Sequence, residues 1–436
     1  MDLPSETVLK NKKISIFEGS FYALMVSWGE SLIIPFALSL SIKPSQIGIL
    51  ATLPVALGGL SQFFMPWLEF KIGHRKILVF FGMFLQVFGL FYLVFFKELN
   101  FLNLLCGSTL YWIGGAGVQP LWASWMIPKE SSQSITLFHA RRNALIAFIT
   151  FVAFLSAGYF LYQNPQYSFF KIFFLGAAIS RSIGAILILF HIDYPHLTKM
   201  KEISVSFHKI KPRLKLHMVW PLIGILVFFR MGAGLASPHF AQYMLQDLNL
   251  NYLVFTFLIG SGFLGRTIFL ESWMVTSHEF GLKNTLIISC ATISVIPALW
   301  ILSDHTAWLF LLEVLAGGSW AAFELLTIFI LAGLGLTGWA RFFGLLNMLV
   351  TFGALGSGWF GGKLLEWGFS MEYVFLLSSL LRGLGTGMLA LIFVIYVRKE
   401  ISFRRTIPIF ISSLSLRPSF SNINWFFWRR ISKDME

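Results

Sequence analysis

Apolar residues along this chain come in long unbroken runs, without the strict alternation of a half-buried strand or the narrow stripe of a surface helix. Twelve such runs are each about the ~20 residues that a helix needs to cross a hydrocarbon core. They cover residues 17–40, 46–68, 77–96, 101–127, 144–162 and 168–190, then 220–243, 252–275, 285–303, 307–334, 340–361 and 372–397. A membrane barrel would show ten-residue segments of alternating hydrophobicity, so the pattern predicts an all-α membrane protein. The one long polar interruption, residues 191–219, divides the runs into two sets of six. The expected organisation is therefore an N-terminal segment 1–16, a six-helix bundle 17–190, a linker 191–219, a second six-helix bundle 220–397 and a tail 398–436.

Composition agrees with this reading and narrows it. Charged residues make up 12% of the chain and hydrophobic residues 56%, against about 25% charged in soluble domains. A net charge of +13 could suggest nucleic acid, but the positions of the basic residues point elsewhere. With the N-terminus in the cytoplasm, 25 of the 33 fall on that side, including Lys199, Lys201, Lys209, Lys211, Arg213 and Lys215 in the linker. Only Lys43, Lys97, Lys171 and Lys363 fall opposite. The positive-inside rule then puts both termini in the cytoplasm and the chain in an inner, cytoplasmic membrane. Cys106 and Cys290 lack paired spacing, so neither a disulfide framework nor a zinc site is expected. The first thirteen residues lack a signal-peptide core and cleavage site, and the tail, with Trp425 to Arg430, suits a lipid headgroup region.

A repeat runs through the two halves at an offset near two hundred residues. Ser180-Arg181-Ser182-Ile183-Gly184 recurs as Leu381-Arg382-Gly383-Leu384-Gly385, Pro35 answers Pro238, and Gly114-Gly115 answers Gly317-Gly318. Ile72-Gly73-His74-Arg75-Lys76 is echoed by Phe280-Gly281-Leu282-Lys283-Asn284. Their common order makes duplication of a six-helix unit the best account, and transporter folds are built from such repeats. Prolines inside the runs, Pro35, Pro54, Pro120 and Pro238, predict kinks.

Two six-helix halves, a basic central loop and a glycine-basic turn after the second and eighth runs resemble the major facilitator superfamily of secondary transporters. The stretches Pro120 to Met126, Leu137 to Asn143 and Pro238 to Leu245 are similar to a bacterial branch of it. The resemblance implies a gating loop at Lys71, Gly73, Arg75 and Lys76, with Gly281 and Lys283 as its second-half counterpart. Phe70 and His278 stand where that signature usually has aspartate, with Glu69 and Glu279 shifted by one position. Leu110 stands about where many proton antiporters have an arginine, and the antiporter glycine-proline pattern is missing, which argues against drug or proton antiport.

A charge at mid-bilayer costs roughly 2.5–3.5 kcal/mol on insertion scales, so each one is a functional candidate or half of a pair. The runs contain Glu30, Arg181, Arg230, Arg266, Glu271, Glu313, Glu324 and Arg382. The resemblance implies that runs 1, 4, 7 and 10 line a central cavity, which singles out Glu30 and Arg230. In run 10, Glu313, Gly317, Trp320 and Glu324 share one helical face. Run 4 adds Trp112 and the neighbours Gln119 and Trp122, since aromatic walls with a few placed polar groups describe a ligand site. The substrate or coupling-ion candidates are therefore Glu30, Gln119, Trp122, Arg230, Glu313, Trp320 and Glu324, with Glu324 and then Glu30 as proton carriers. Arg181 and Arg382, repeated at equivalent places, are expected to be structural tethers to helix carbonyls or acids.

Enzyme signatures are poor. His278-Glu279 begins a zinc-protease pattern that Leu282 ends, and His191, Asp193 and His196 lack a further ligand. No phosphate-binding loop occurs, so ATP-driven transport is unsupported. The sequence thus predicts a secondary active or facilitative transporter of a small solute, not an enzyme, and no cofactor or metal. Expected partners are that solute, H+ or Na+ and the lipid bilayer, with no nucleic acid and the chain acting as a monomer. The rival reading is a non-transporting receptor or assembly factor on the same fold, which would need no charges in a cavity.

Overall fold

The computed structural model describes residues 5–96, 100–125, 132–192, 216–333 and 339–396. The expectations for the tail 398–436, and for most of the linker 191–219, lie outside them. The described residues form helices: α1 (Ser5–Trp28), α2 (Ile33–Ser39), α3 (Pro44–Ile72), α4 (Arg75–Phe95), α5 (Phe101–Trp125), α6 (Ser132–Gln163) and α7 (Tyr167–Leu189). There follow α8 (Leu216–Ala236), α9 (Phe240–Gln242), α10 (Tyr252–Phe280), α11 (Leu282–Trp300), α12 (Thr306–Gly333), α13 (Trp339–Glu366) and α14 (Met371–Tyr396). Among the described residues, eleven segments are long and apolar enough to cross a membrane, and α13, 28 residues long, packs beside them on α3 and α8.

Several helices outrun the apolar runs: α1 begins at Ser5, twelve residues before the first run, and α6 begins at Ser132 instead of 144. Backbone hydrogen bonding continues past the lipid boundary, which hydropathy alone does not report. Two breaks matter more. The first span is interrupted at Gly29 and by a 3-10 turn at Glu30–Leu32, and the seventh by a 3-10 turn at Ser237–His239 followed by a π turn at Tyr243–Asp247. Proline explains both places, because Pro35 and Pro238 lack the N–H that would close the helix onto the residue four back. The Pro54 position, by contrast, lies within an uninterrupted α3.

Helix packing repeats. In the first set α1 packs on α6 and α7, α4 on α5 and α7, and α3 on α5. In the second, α8 packs on α13 and α14, α11 on α12 and α14, and α10 on α12. The sets meet through α3 against α13 and α6 against α10. At one end these seams are tight. Gly48 lies so close to the Gly358 carbonyl that a Cβ has no room, and Gly158 likewise abuts Thr256. Small residues suit this role, because lipid provides no hydrophobic drive between helices and close backbone approach must supply the attraction. A polar clasp adds to it: the Ser45 N–H and hydroxyl donate to Glu366 Oε1 at 3.1 and 2.5 Å, and Lys363 Nζ donates to Oε2 at 2.6 Å. Burial alone would raise that carboxyl, but the bonds from Lys363 and Ser45 outweigh it and hold the pKa down to about 2.

The core follows the same asymmetry. Near the tight end one cluster crosses the seam, with Phe36, Tyr111 and Phe154 from the first set and Leu235, Phe255 and Phe375 from the second. Away from it the core splits into a cluster around Phe229, Ile293 and Phe393 and another around Val79, Met83 and Val118. Along α3 and α13 the contact opens from Ser45 and Glu366 through Gly59, 3.7 Å from Thr351 at its Cβ position, to Gln62 and Asn347 on a cavity wall.

Candidate functional site

Two adjoining cavities lie between the sets, and a third opens off the first within the second set. The central one, about 550 Å³, is walled by residues flanking both proline breaks, including Glu30, Pro35, Arg230 and Pro238, with Trp112 and Trp320. Glu30 and Arg230 are the two charged side chains among its described walls. A second cavity, about 450 Å³, shares Arg230 and Val350 with the first and adds Gln62, Gln119, Glu324, Thr327 and Asn347. A third, about 240 Å³, shares Ser237, Phe240, Ile259 and Trp320 with the first and reaches Arg266, Glu313 and Arg382.

Glu30 sits in the 3-10 turn, where its carboxylate Oε2 accepts a hydrogen bond from the Tyr111 hydroxyl at 2.7 Å. Arg230 is half-buried near the end of α8, and its guanidinium lies 4.8 Å from the Trp320 ring centroid and 5.3 Å from that of Phe323. No described carboxylate is within ion-pair distance of it. Aromatic faces attract a cation but do not neutralise it.

Of the four residues of run 10, Glu313, Gly317 and Trp320 all line the third cavity, Trp320 also bordering the first, and Glu324 alone faces the second. Glu324 is ion-paired with Arg266 at 2.6 Å, both side chains being about two-fifths exposed (42% and 41%). Arg266 thereby has a partner that sequence spacing did not provide, one contributed by α12 to α10. Gln119 is on the wall of the second cavity, with Gln62 Nε2 at 3.5 Å from its Oε1. Trp122 is not among the described cavity walls: it packs on the cluster of Val79, Met83 and Val118, beneath the Arg142 guanidinium at 4.7 Å. One helical turn of sequence separation puts it beyond the cavity, so Gln119 and Trp122 do not share an environment.

Arg181 and Arg382 are both buried, 4% and 3% exposed, but they are held differently. Arg181 donates to Glu18 Oε1 at 3.0 Å and to Gln86 Oε1 at 2.7 Å, and Glu18 also receives Arg142 at 3.3 Å. Arg382 donates to the carbonyls of Ile293 and Ala233, at 3.1 and 3.4 Å, and borders the third cavity. The charge cluster around Glu18 was not anticipated from sequence. Glu18 stands at the very edge of the first apolar run and Arg142 reads as a loop residue, while Gln86, an isolated amide in an apolar run, was the available signal.

At the glycine-basic turns, Gly73 and Gly281 adopt φ of 72° and 82°, the left-handed region that glycine tolerates. Arg75 pairs with Glu69 of the same turn, so the acid beside Phe70 finds its cation locally. Lys71 lies over the Trp67 ring at 4.1 Å, and Lys283 opens α11. Lys76 donates to the His191 carbonyl at 2.8 Å, while the Asn11 amide exchanges two 3.0 Å hydrogen bonds with the Ile192 backbone. The start of the linker is thus tied to α1 and to the turn. His191 is 1% exposed, and burial, then the nearby Lys76 charge, push its pKa down to about 4.

Among the described residues, no group of three His, Cys, Asp or Glu side chains is placed to hold a metal ion. No family model matches the chain, and no curated protein matches it in sequence. Solved structures do match. A mutant form of the nucleoside transporter NupG superposes with a TM-score of 0.70 at 14% identity, over 88% of this chain and 100% of that one. The peptide transporter POT in complex with sulfate gives 0.68 at 13%, over 91% and 95%. A POT family transporter in complex with 5-aminolevulinic acid gives 0.67 at 14%, over 91% and 96%. At such identities the likeness is one of fold: the chain has the multi-span helical fold of these transporters.

Proposed function

We propose that this chain is a secondary active or facilitative transporter of a small solute, built on the major facilitator fold. Its twelve spans form two six-helix halves, 17–190 and 220–397, joined by the basic linker 191–219 and followed by the tail 398–436. The observation that carries the reading is the central cavity between the two helix sets, with Glu30 and Arg230 on its walls beside matching proline breaks. The recurring packing of α1, α3, α4, α5, α6 and α7 in α8, α10, α11, α12, α13 and α14 supports two related halves. Transport then follows from rocking one half on the other. The seam closed by Gly48, Gly358 and the Ser45–Glu366 clasp would part, and the opposite end would close.

The distribution of basic residues puts both termini in the cytoplasm of a bacterial inner membrane, so the tight end faces outward and the second cavity inward. Glu30, Gln119, Arg230, Glu313, Trp320 and Glu324 serve recognition or coupling, with H+ or Na+ as the coupling ion. The turns at Gly73 and Gly281 flank the moving seam. In a cysteine-free background, Gln62→Cys is expected to react with a membrane-impermeant thiol reagent in inverted vesicles and not in right-side-out ones. Reaction from the outside alone would overturn the orientation. A purified, reconstituted protein that binds a solute tightly yet never exchanges it across the bilayer would overturn transport itself.

A further inference from the structure

Most intramembrane charges here are satisfied by the fold. Arg181 and Arg142 share Glu18, Arg266 has Glu324, and Arg382 rests on two carbonyls. Glu30, Arg230 and Glu313 differ, none having a described group of opposite charge within ion-pair distance, and Glu313 borders the third cavity. On the central cavity, the Glu30 carboxylate receives a hydroxyl from Tyr111, while the Arg230 guanidinium lies against the ring faces of Trp320 and Phe323, with the Arg266-paired Glu324 across the second cavity. Glu30 and Arg230 do not pair with each other, yet both border the same 550 Å³ cavity. A desolvated charge without an opposite partner is costly, so two of opposite sign on one cavity make a site that a ligand bearing both charges completes. The remaining walls are largely aromatic and aliphatic, with Trp112, Pro35, Pro238 and Ile259, and carry a few hydroxyls such as Ser108 and Ser237.

We infer that the cavity takes a zwitterion with an apolar or aromatic body, its cationic end on Glu30 and its anionic end on Arg230. This deepens the transport reading and rests on it. A free amine fits Glu30 because the Tyr111 hydroxyl occupies one oxygen and leaves the other to accept. A carboxylate or other planar acid fits Arg230, whose guanidinium donors are not consumed by the two rings.

The test uses purified full-length protein and two zwitterions of different charge spacing, phenylalanine and alanyl-phenylalanine. Each is compared with its N-acetylated form, which is an anion, and its carboxamide, which is a cation. In a thermal-shift titration, blocking either end is expected to weaken binding roughly ten- to a hundredfold, the range of a charge-assisted hydrogen bond. Glu30→Gln should erase the preference for the free amine and leave binding of the N-acetyl form unchanged. Arg230→Gln should do the converse with the carboxamide. Glu313→Gln, in the adjoining cavity, should alter neither preference.

Equal binding of free and blocked forms, binding by none of them, or loss of the amine preference in Glu313→Gln instead of Glu30→Gln would each overturn the assignment. Counterflow in proteoliposomes separates the two claims. A zwitterion that binds as described but is never exchanged refutes transport and leaves the site standing. Exchange of some other solute, with no binding of these, refutes the site alone.

Discussion

The surroundings of Arg181 and Arg382 show how one sequence element, repeated about two hundred residues apart, serves two different ends. Around Arg181 the fold supplies a carboxylate and an amide, and a second arginine shares the carboxylate. Around Arg382 it supplies two backbone carbonyls and a cavity. The difference originates on the neighbouring helix. At the place in α8 that answers Glu18 stand Val219, Trp220 and Pro221, and none is acidic. A cation fixed by its own carboxylate holds α1, α4 and α7 together whatever occupies the cavity. One held only by carbonyls leaves α8, α11 and α14 joined more weakly, beside the third cavity.

The contrast breaks most readily at Glu18. Glu18→Gln strands two buried arginines without their carboxylate and should lower stability by about 3–5 kcal/mol. Thermal unfolding in detergent measures this, and a change below 1 kcal/mol would mean that the cluster is not a lock. Arg181→Met should cost less, about 1–3 kcal/mol, because Arg142 still meets Glu18 while the Gln86 oxygen loses its donor.

The first helix set should also carry a pH dependence. Buried His191 favours its neutral form, with a pKa near 4 in place of the usual 6.5, so the unfolded chain binds more protons between those values. Stability is then full above about pH 6.5 and falls as the pH drops toward 4, by roughly 1 kcal/mol at pH 5.5. His191→Gln should flatten that part of the curve, and an unchanged slope would assign it to another group. The smallest effect belongs to Arg382→Met, at about 1 kcal/mol or less, since the two carbonyls also have helix partners. A loss as large as that of Glu18→Gln would erase the distinction between the two regions.

Much of the candidate site could be read along the chain, because the cost of a charge in lipid makes Glu30, Arg230, Glu313 and Glu324 conspicuous wherever they point. Pairing could not be read in the same way. Arg266 and Glu271, five residues apart, are not well placed to pair along one helix, and nothing in the sequence names another partner; Arg266 meets Glu324 from another helix, 58 positions away. Helical periodicity put Glu313, Trp320 and Glu324 on one face, and the first two do border one cavity, but a helix 28 residues long passes more than one chamber and Glu324 faces another. Glu18 and Arg142 escaped notice because each stands near an end of an apolar run, where a charge is ordinarily solvated; the depth of their burial depends on how α1 and α6 pack.

By itself, then, the order of residues determined that this is a helical membrane protein, roughly where its long apolar helices fall, and that two stretches of the chain carry related marks. Those properties follow from local physics: hydrocarbon thickness sets the length of the runs, and proline sets the breaks. Only the tertiary structure decided which buried charges neutralise one another and which are left facing a cavity, Glu30 and Arg230 on the same one. That depends on distances of a few ångströms between helices far apart in the chain, where Coulomb attraction is strong enough to matter.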